Sequence, residues 1–162
     1  MTRRSILKYV TESYCNFEKK IISRMIELPE NKKIILFDGV CNLCNQTVLR
    51  IIKLDKKDNF RFTSLQSEMG KKIIEHLKID TSKVDSIILF EPKTAYYLKS
   101  TAALKIIGTF GGIWVVSKFL LFFPSFIRDF VYDIIARNRY KWFGKKDQCM
   151  IPTPDLLSKF ID

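Results

Sequence analysis

The sequence is poor in the residues that loosen a fold. Its 162 residues include only six glycines and five prolines, and 47% of them are hydrophobic. Disordered chains have low hydrophobicity, so this composition excludes a largely disordered protein. At this length we expect one compact unit that buries roughly 70% of the surface of the unfolded chain.

The amino-terminal region lacks the marks of a targeting sequence. Its basic start, MTRRSILKY, is followed by no uninterrupted apolar run and no small-residue cleavage site. A mitochondrial presequence would be poor in acidic residues, whereas Glu12 and Glu18 occur early. Without a signal peptide, four cysteines fit a reducing cytoplasm better than a secreted disulfide framework. We therefore expect a cytoplasmic protein, with peripheral membrane contact as a further alternative.

Metal ligands are also scarce. The chain has one histidine, His76, and no second C-x-x-C pair besides Cys41 and Cys44. A structural zinc ion takes four ligands, and only Cys15, Cys149 and His76 could complete such a set. We predict no metal and no cofactor, and a zinc site stays open as the weaker alternative.

Positive charge is abundant, with a net charge of +11. The lysine pairs are scattered along the chain, which is typical of a solvated basic surface. The cluster Arg137 to Tyr140 would suit phosphate or nucleic acid. The same arginines could instead pair with Asp129, Asp133 or a buried carboxylate such as Asp38, and we prefer this structural role. No nucleic-acid partner is predicted.

The chain is organised around the stretch from Lys33 to Asp55, KIILFDGVCNLCNQTVLRIIKLD. An apolar, β-branched run from 34 to 37 ends at an Asp-Gly pair, as a buried strand followed by a turn does. From Cys44 onward the apolar residues recur at helical spacing. The two cysteines therefore lie where a strand passes into a helix.

This position favours redox chemistry. A helix N-terminus carries unpaired amide groups and partial positive charge, which favour a thiolate over a thiol. Cys41, expected nearer the exposed turn, is the predicted nucleophile, and Cys44 is predicted to resolve the mixed disulfide. Asp38 has two interpretations that stay open: it accepts the proton of Cys44, or it caps the turn.

The remaining pattern predicts a mixed four-stranded sheet with flanking helices. An amphipathic helix over 5–28 forms a separate element within 1–30, before a main domain over 31–162 that carries a helical C-terminal extension. Within that domain the predicted strands are 34–37, 60–63, 86–90 and 95–98, and the predicted helices include 67–77, 101–107 and 125–142, with Ser67 and Ser100 as caps.

The apolar segment 106–127 is a candidate for a membrane-spanning helix because of its length and composition. It is interrupted by glycines, Lys118 and Pro124, so we predict two shorter helices broken at Pro124 rather than a spanning helix. Their aromatic residues either pack on the sheet or form an exposed apolar patch, which would allow peripheral membrane contact.

The motif D-G-V-C-N-L-C-N resembles the signature of the DCC thiol-disulfide oxidoreductase family. Further residues agree in order between Lys33 and Asp162, among them Leu65-Gln66-Ser67, Asp85-Ser86, Arg128-Asp129, Tyr132, Ala136 to Tyr140 and Trp142-Phe143-Gly144. The resemblance implies a thioredoxin-like α/β fold and a redox role for Cys41 and Cys44.

The resemblance also suggests where a substrate lies. Thioredoxin-like enzymes usually place a cis-proline opposite the disulfide, and here Asp85 and Ser86 occupy that place without proline. Together with Gly39 and Val40 of the turn, they are the predicted substrate contacts. We expect dithiol-disulfide exchange with a protein or small molecule of unknown identity. The alternative is a non-catalytic membrane-surface or partner-binding module on the same scaffold.

Overall fold

The structure is a computed structural model that describes residues 31–80, 87–92, 94–146 and 153–161. Its strands are β1 (Lys33–Phe37), β2 (Phe60–Ser64), β3 (Ile88–Glu91) and β4 (Ala95–Leu98). Its α-helices are α1 (Asn42–Leu54), α2 (Glu68–His76), α3 (Lys99–Gly108) and α4 (Ser125–Phe143), and two 3₁₀ segments span Gly112–Phe122 and Pro154–Lys159.

The four strands form one mixed sheet in the order β2-β1-β3-β4. Strand β1 pairs parallel with β2 and antiparallel with β3, which pairs antiparallel with β4. A strand-helix-strand unit followed by a hairpin and a helix is the arrangement of a thioredoxin-like α/β fold, as predicted.

Alternation along β1 divides the core between the two faces of the sheet. Ile35 and Phe37 pack with residues of α1 and α3, such as Val48 and Ala102. Their neighbours Ile34 and Leu36 point to the opposite face, where they meet the apolar side of α2. Because strand side chains alternate with a period of two, a strand buried on both faces is apolar throughout. This burial fixes the carboxyl end of β1, where the cysteine motif begins.

The predicted elements are confirmed within one to three residues at most ends. Ser67 caps α2, since its Oγ accepts a hydrogen bond from the Gly70 amide across 3.0 Å. The predicted cap of α3 is wrong: Leu98 holds the N-cap position, and the Ser100 hydroxyl donates to Asp129 of α4 instead. The predicted helix over 5–28, Cys15, Cys149, Asp85 and Ser86 lie outside the described residues.

The segment 106–127 divides as predicted. Helix α3 ends at Gly108, the 3₁₀ segment Gly112–Phe122 follows, and α4 begins directly after Pro124. Among the helices that the structure describes, none combines the length and the apolar character needed to cross a membrane.

The carboxyl-terminal residues close one edge of the sheet. Phe160 bridges to Phe62 of β2, and the Ile161 amide donates to the Phe62 carbonyl across 2.9 Å. The Phe160 ring also packs against Phe37, with ring centroids 6.2 Å apart. The outer side of β2 is therefore covered by the chain itself.

Candidate active site

The two motif cysteines lie at the start of α1. Cys41 is the N-cap residue, with extended backbone dihedrals, and Cys44 follows in the first turn. The Cys44 amide donates to the Cys41 sulfur across 3.4 Å, and both residues are free thiols. A sulfur in this position receives one of the amide groups that the helix leaves unpaired, which favours negative charge on it.

The exposure of the two cysteines is the reverse of the sequence expectation. Cys41 is 0% exposed, whereas Cys44 is only half-buried. The segment after α4 runs alongside this turn. Lys145 forms an isolated antiparallel β-bridge with Cys41, and the Lys146 amide donates to the Val40 carbonyl across 2.8 Å. The expectation that Cys41 lies at an exposed turn is therefore wrong in this structure, because the turn is covered.

Asp38 at the end of β1 joins three distant parts of the chain. It is 4% exposed, and its Oδ1 accepts from the Val40 amide at 3.1 Å and from Gln66 Nε2 at 2.9 Å. Its Oδ2 accepts from Arg139 Nη2 at 2.9 Å and from the Tyr140 hydroxyl. The predicted cap of the turn and the predicted pairing of an arginine with buried Asp38 are both confirmed.

These contacts set the charge states around Asp38. Burial alone would raise the pKa of Asp38, but hydrogen bonds from Tyr140, Val40 and Gln66 and the charge of Arg139 lower it below its usual range. Burial likewise works against the charge of Arg139, yet its pKa is raised, chiefly by the hydrogen bond with Tyr140. Burial and Asp38 raise the pKa of the Tyr140 hydroxyl. The carboxylate and guanidinium thus form a buried ion pair with neutral Tyr140 beside it.

Cys44 is held in its protonated form. Burial raises the pKa of its thiol well above the usual range, and the Cys41 sulfur raises it further through a hydrogen bond and through charge. Arg139 lowers the pKa of Cys44, and Asp38 raises it by a smaller effect. A charge on the neighbouring Cys41 sulfur repels a second negative charge, which is why it opposes ionisation of Cys44.

Cys44 opens on a cavity of about 170 Å³. The lining is mostly apolar and comes from α1, α3, α4 and the residue before β3, with Leu43, Ile87, Ala103, Tyr132 and Ile135 among its residues. The Tyr132 hydroxyl accepts a hydrogen bond from the Ile87 amide across 3.2 Å, which ties α4 to the beginning of β3. A substrate group that reaches Cys44 through this cavity meets apolar walls.

The family model of the DCC1-like thiol-disulfide oxidoreductases matches residues 35–145, a span that holds every side chain of this site. The chain belongs to this family. YuxK of Bacillus subtilis, itself an uncharacterized protein, is 47% identical over 131 residues, which cover 80% of this chain and 93% of YuxK. A DCC family protein of Arabidopsis thaliana, At1g52590, described as chloroplastic, is 37% identical over 148 residues, or 91% of this chain and 80% of that protein. No solved structure matches the chain.

Of the residues predicted to contact substrate in this DCC1-like protein, the structure describes Gly39 and Val40. The Gly39 amide donates to Gln66 Oε1 and its carbonyl accepts from Asn45 Nδ2, while the Val40 amide and carbonyl are bonded to Asp38 and Lys146. Their backbone groups thus serve the fold, and their contact with substrate stays a prediction. Asp85 and Ser86 lie outside the described residues.

Sequence reasoning missed two partners of Asp38, Gln66 and Tyr140. Both stand in segments that resemble the DCC family, but nothing in the residue pattern marks them as partners of Asp38. In the described part of the chain, no group of three or more His, Cys, Asp or Glu side chains is placed to hold a metal ion. The predicted zinc alternative involves Cys15 and Cys149, which lie outside that part.

Proposed function

We propose that this DCC1-like protein exchanges a Cys41-Cys44 dithiol for the disulfide of a protein or small-molecule partner. The observation that carries the proposal is the placement of Cys41 at the N-cap of α1, with the Cys44 amide on its sulfur. A thiolate is the reactive form in disulfide exchange, and a helix N-terminus favours it. Cys44 supplies the second sulfur from the first turn of the same helix.

The exchange proceeds in two displacements. The Cys41 thiolate attacks one sulfur of the partner disulfide, so that a Cys41-partner disulfide forms and the other partner sulfur leaves as a thiolate, which takes up a proton. Cys44 then gives up its proton and attacks the Cys41 sulfur, which closes the Cys41-Cys44 disulfide and releases the partner fully reduced. Two electrons pass from the cysteine pair to the partner, and the reverse sequence oxidises a partner dithiol.

Access to Cys41 requires a local opening. Cys41, at the N-cap of α1, is fully buried, whereas the half-buried thiol of Cys44 holds its proton. The bridge between Cys41 and Lys145 and the hydrogen bond from Lys146 to Val40 must separate before a disulfide reaches Cys41. Both contacts involve a short segment beyond α4, so they can separate without disturbing the sheet.

Asp38 supports this site mainly as an anchor. Four donors surround its carboxylate, and its lowered pKa makes it a weak acceptor for the proton of Cys44. Its charge contributes to keeping Cys44 protonated until resolution. The capping interpretation therefore has more support here than the general-base interpretation, which stays a prediction.

Trapping of the mixed disulfide tests the proposal. In Cys44→Ser the second displacement cannot occur, so a disulfide between Cys41 and a model disulfide substrate should accumulate and be located by peptide mass spectrometry. Insulin reduction in the presence of a small dithiol should fall to background in Cys41→Ser. The variant Cys15→Ser/Cys149→Ser is the matched control and should keep the activity of the natural chain. Equal turnover by the natural chain and Cys41→Ser would contradict the proposal.

A further inference from the structure

Helix α4 leaves most of its large apolar residues exposed and is held to the protein in part by charged side chains. Among its 19 residues the one buried residue is Arg139. Asp133 pairs with Lys99 at 2.8 Å, Asp129 accepts from Ser100, and Arg128 Nη1 donates to Ser100 Oγ across 3.2 Å. A helix that packs on its own domain normally buries its apolar stripe. This helix instead uses charged residues to hold α3 and leaves its apolar stripe uncovered by the described residues.

The uncovered stripe continues into the preceding 3₁₀ segment. The largest exposures are those of Phe122 at 89% and Phe126 at 73%. We name as the apolar face the six exposed residues Phe119, Phe122, Phe123, Phe126, Ile127 and Phe130. A phenylalanine side chain presents roughly 200 Å², so the five phenylalanines expose on the order of 700 Å². This exceeds the largest apolar patch of a typical monomer, about 300–600 Å², and such patches mark interaction sites.

The stretch of sequence that leads into the apolar face carries charge of one sign. From Pro92 to Arg128 the sequence has four lysines and one arginine and no aspartate or glutamate, and the whole chain carries +11. The next two acidic residues, Asp129 and Asp133, are engaged with Ser100 and Lys99. A second copy of this chain would bring like charge to the contact. An anionic phospholipid surface offers an acyl region for phenylalanine rings and negative headgroups for the cations.

We infer that the apolar face docks the protein on an anionic phospholipid bilayer as a peripheral contact. The phenylalanines enter the boundary between headgroups and acyl chains, and the net positive charge of the chain attracts it to the negative headgroups. A groove of about 370 Å³ beneath the face is lined by Phe123 and Ile127 and shares Ala103, Tyr132 and Ile135 with the cavity at Cys44. Docking in this orientation brings the opening at Cys44 close to the lipid.

Vesicle binding by the full chain tests the inference. Sedimentation with phosphatidylcholine vesicles that contain phosphatidylglycerol should show binding at least tenfold tighter than with phosphatidylcholine alone, and added salt should weaken it. Phe122→Ser/Phe126→Ser should reduce the partition constant at least tenfold. The matched control is Tyr96→Ser, which removes an exposed aromatic ring of β4, and it should bind as the natural chain does.

A spectroscopic measurement locates the contact. The chain has two tryptophans, and Trp142→Phe leaves Trp114 of the 3₁₀ segment as the one reporter. Its emission should shift to shorter wavelength with anionic vesicles and stay unchanged in the variant that also carries Phe122→Ser/Phe126→Ser. Reduction of insulin, a soluble substrate, should be equal in the natural chain and Phe122→Ser/Phe126→Ser, so this inference and the proposed redox function fail separately.

Three outcomes would overturn the inference. The first is the absence of binding to anionic vesicles. The second is binding that Phe122→Ser/Phe126→Ser leaves undiminished, which would assign the contact to the amphipathic stretch 5–28 or to scattered lysines. The third is self-association in the absence of lipid that the same variant abolishes, measured by analytical ultracentrifugation, which would assign the face to a second copy of the chain.

Discussion

Arg139 donates a hydrogen bond from Nη2 to Oδ2 of Asp38 across 2.9 Å, although the two residues lie 101 positions apart. Both residues are 4% exposed. A helix that leaves its apolar stripe outside is therefore held to the end of β1 by a buried ion pair. The contact also fixes the part of the chain that continues from α4 over Cys41.

Removal of one partner of this pair should be costly. In Asp38→Ala the guanidinium of Arg139 stays buried without its carboxylate, so the free energy of unfolding should fall by about 3–5 kcal/mol. Asp38→Ala/Arg139→Met removes both charges and should recover a large part of that loss. Urea denaturation monitored by circular dichroism provides the measurement. A loss below about 1 kcal/mol in Asp38→Ala, the value of an exposed pair, would contradict the burial of this contact.

The same carboxylate should make the protein sensitive to acid. Because the pKa of Asp38 is lowered in the folded state, the unfolded chain binds more protons at acidic pH. Its contribution to stability should be complete above the unfolded value of about 3.9 and should be lost as pH falls through the lower folded value. Unfolding free energies measured between neutral pH and strong acid should therefore decline less in Asp38→Asn. Parallel profiles for the two proteins would argue against this carboxylate as the cause.

Cys44 should make the stability of the fold depend on pH in the opposite direction, with a loss at alkaline pH. Its raised pKa means that the folded state keeps a proton that the unfolded chain loses near pH 8.5, so stability should decline as pH rises above that value. Cys41→Ser removes the neighbouring sulfur and should lower the pKa at which Cys44 titrates, since repulsion from Cys41 is one of its causes. The pH dependence of Cys44 alkylation, followed by peptide mass spectrometry, would measure this. An unchanged titration in Cys41→Ser would exclude coupling between the two sulfurs.

A substitution at Gly144 should increase the accessibility of Cys41, because Gly144 belongs to the segment that lies against it. Gly144 has φ +82° and ψ 167°, a region open almost only to glycine, and an added Cβ would lie 3.1 Å from Asn42 Nδ2. Its carbonyl accepts from the Asn42 amide next to Cys41, so Gly144→Ala should loosen this segment and speed Cys41 alkylation at least threefold.

Gly111→Ala is the control for that experiment. Gly111 has similar dihedrals, φ +74° and ψ −171°, and no atom lies within 4 Å of the added Cβ among the described residues. It imposes a comparable backbone strain of about 1–3 kcal/mol away from the cysteines. Alkylation of Cys41 that increased equally in both variants would indicate general destabilisation instead of a local opening.

Much of the fold could be predicted because it follows local patterns. The apolar run of β1, the helical spacing after Cys44 and the Ser67 cap depend on neighbours in sequence, and each was placed within a few residues. The cap at Ser100 failed because its hydroxyl is used in a tertiary contact with Asp129. Local propensity contains no record of such a contact.

The arrangement of the site was harder to predict. The pairing of Asp38 with an arginine followed from the need of a buried carboxylate for a partner, but Gln66 and Tyr140 could not be chosen without the tertiary structure. The burial of Cys41 depends on Lys145 and Lys146, which lie more than a hundred residues away. Contacts of this range are set by how the elements pack and not by the spacing of the motif itself.

The bridge from Phe160 to Phe62 has a practical consequence for work with this protein. Edge strands whose amide and carbonyl groups lack partners can pair with strands of other molecules and promote aggregation. Here the Ile161 amide already occupies the Phe62 carbonyl. Loss of these residues to a protease would uncover this edge of the sheet and lower the yield of soluble material.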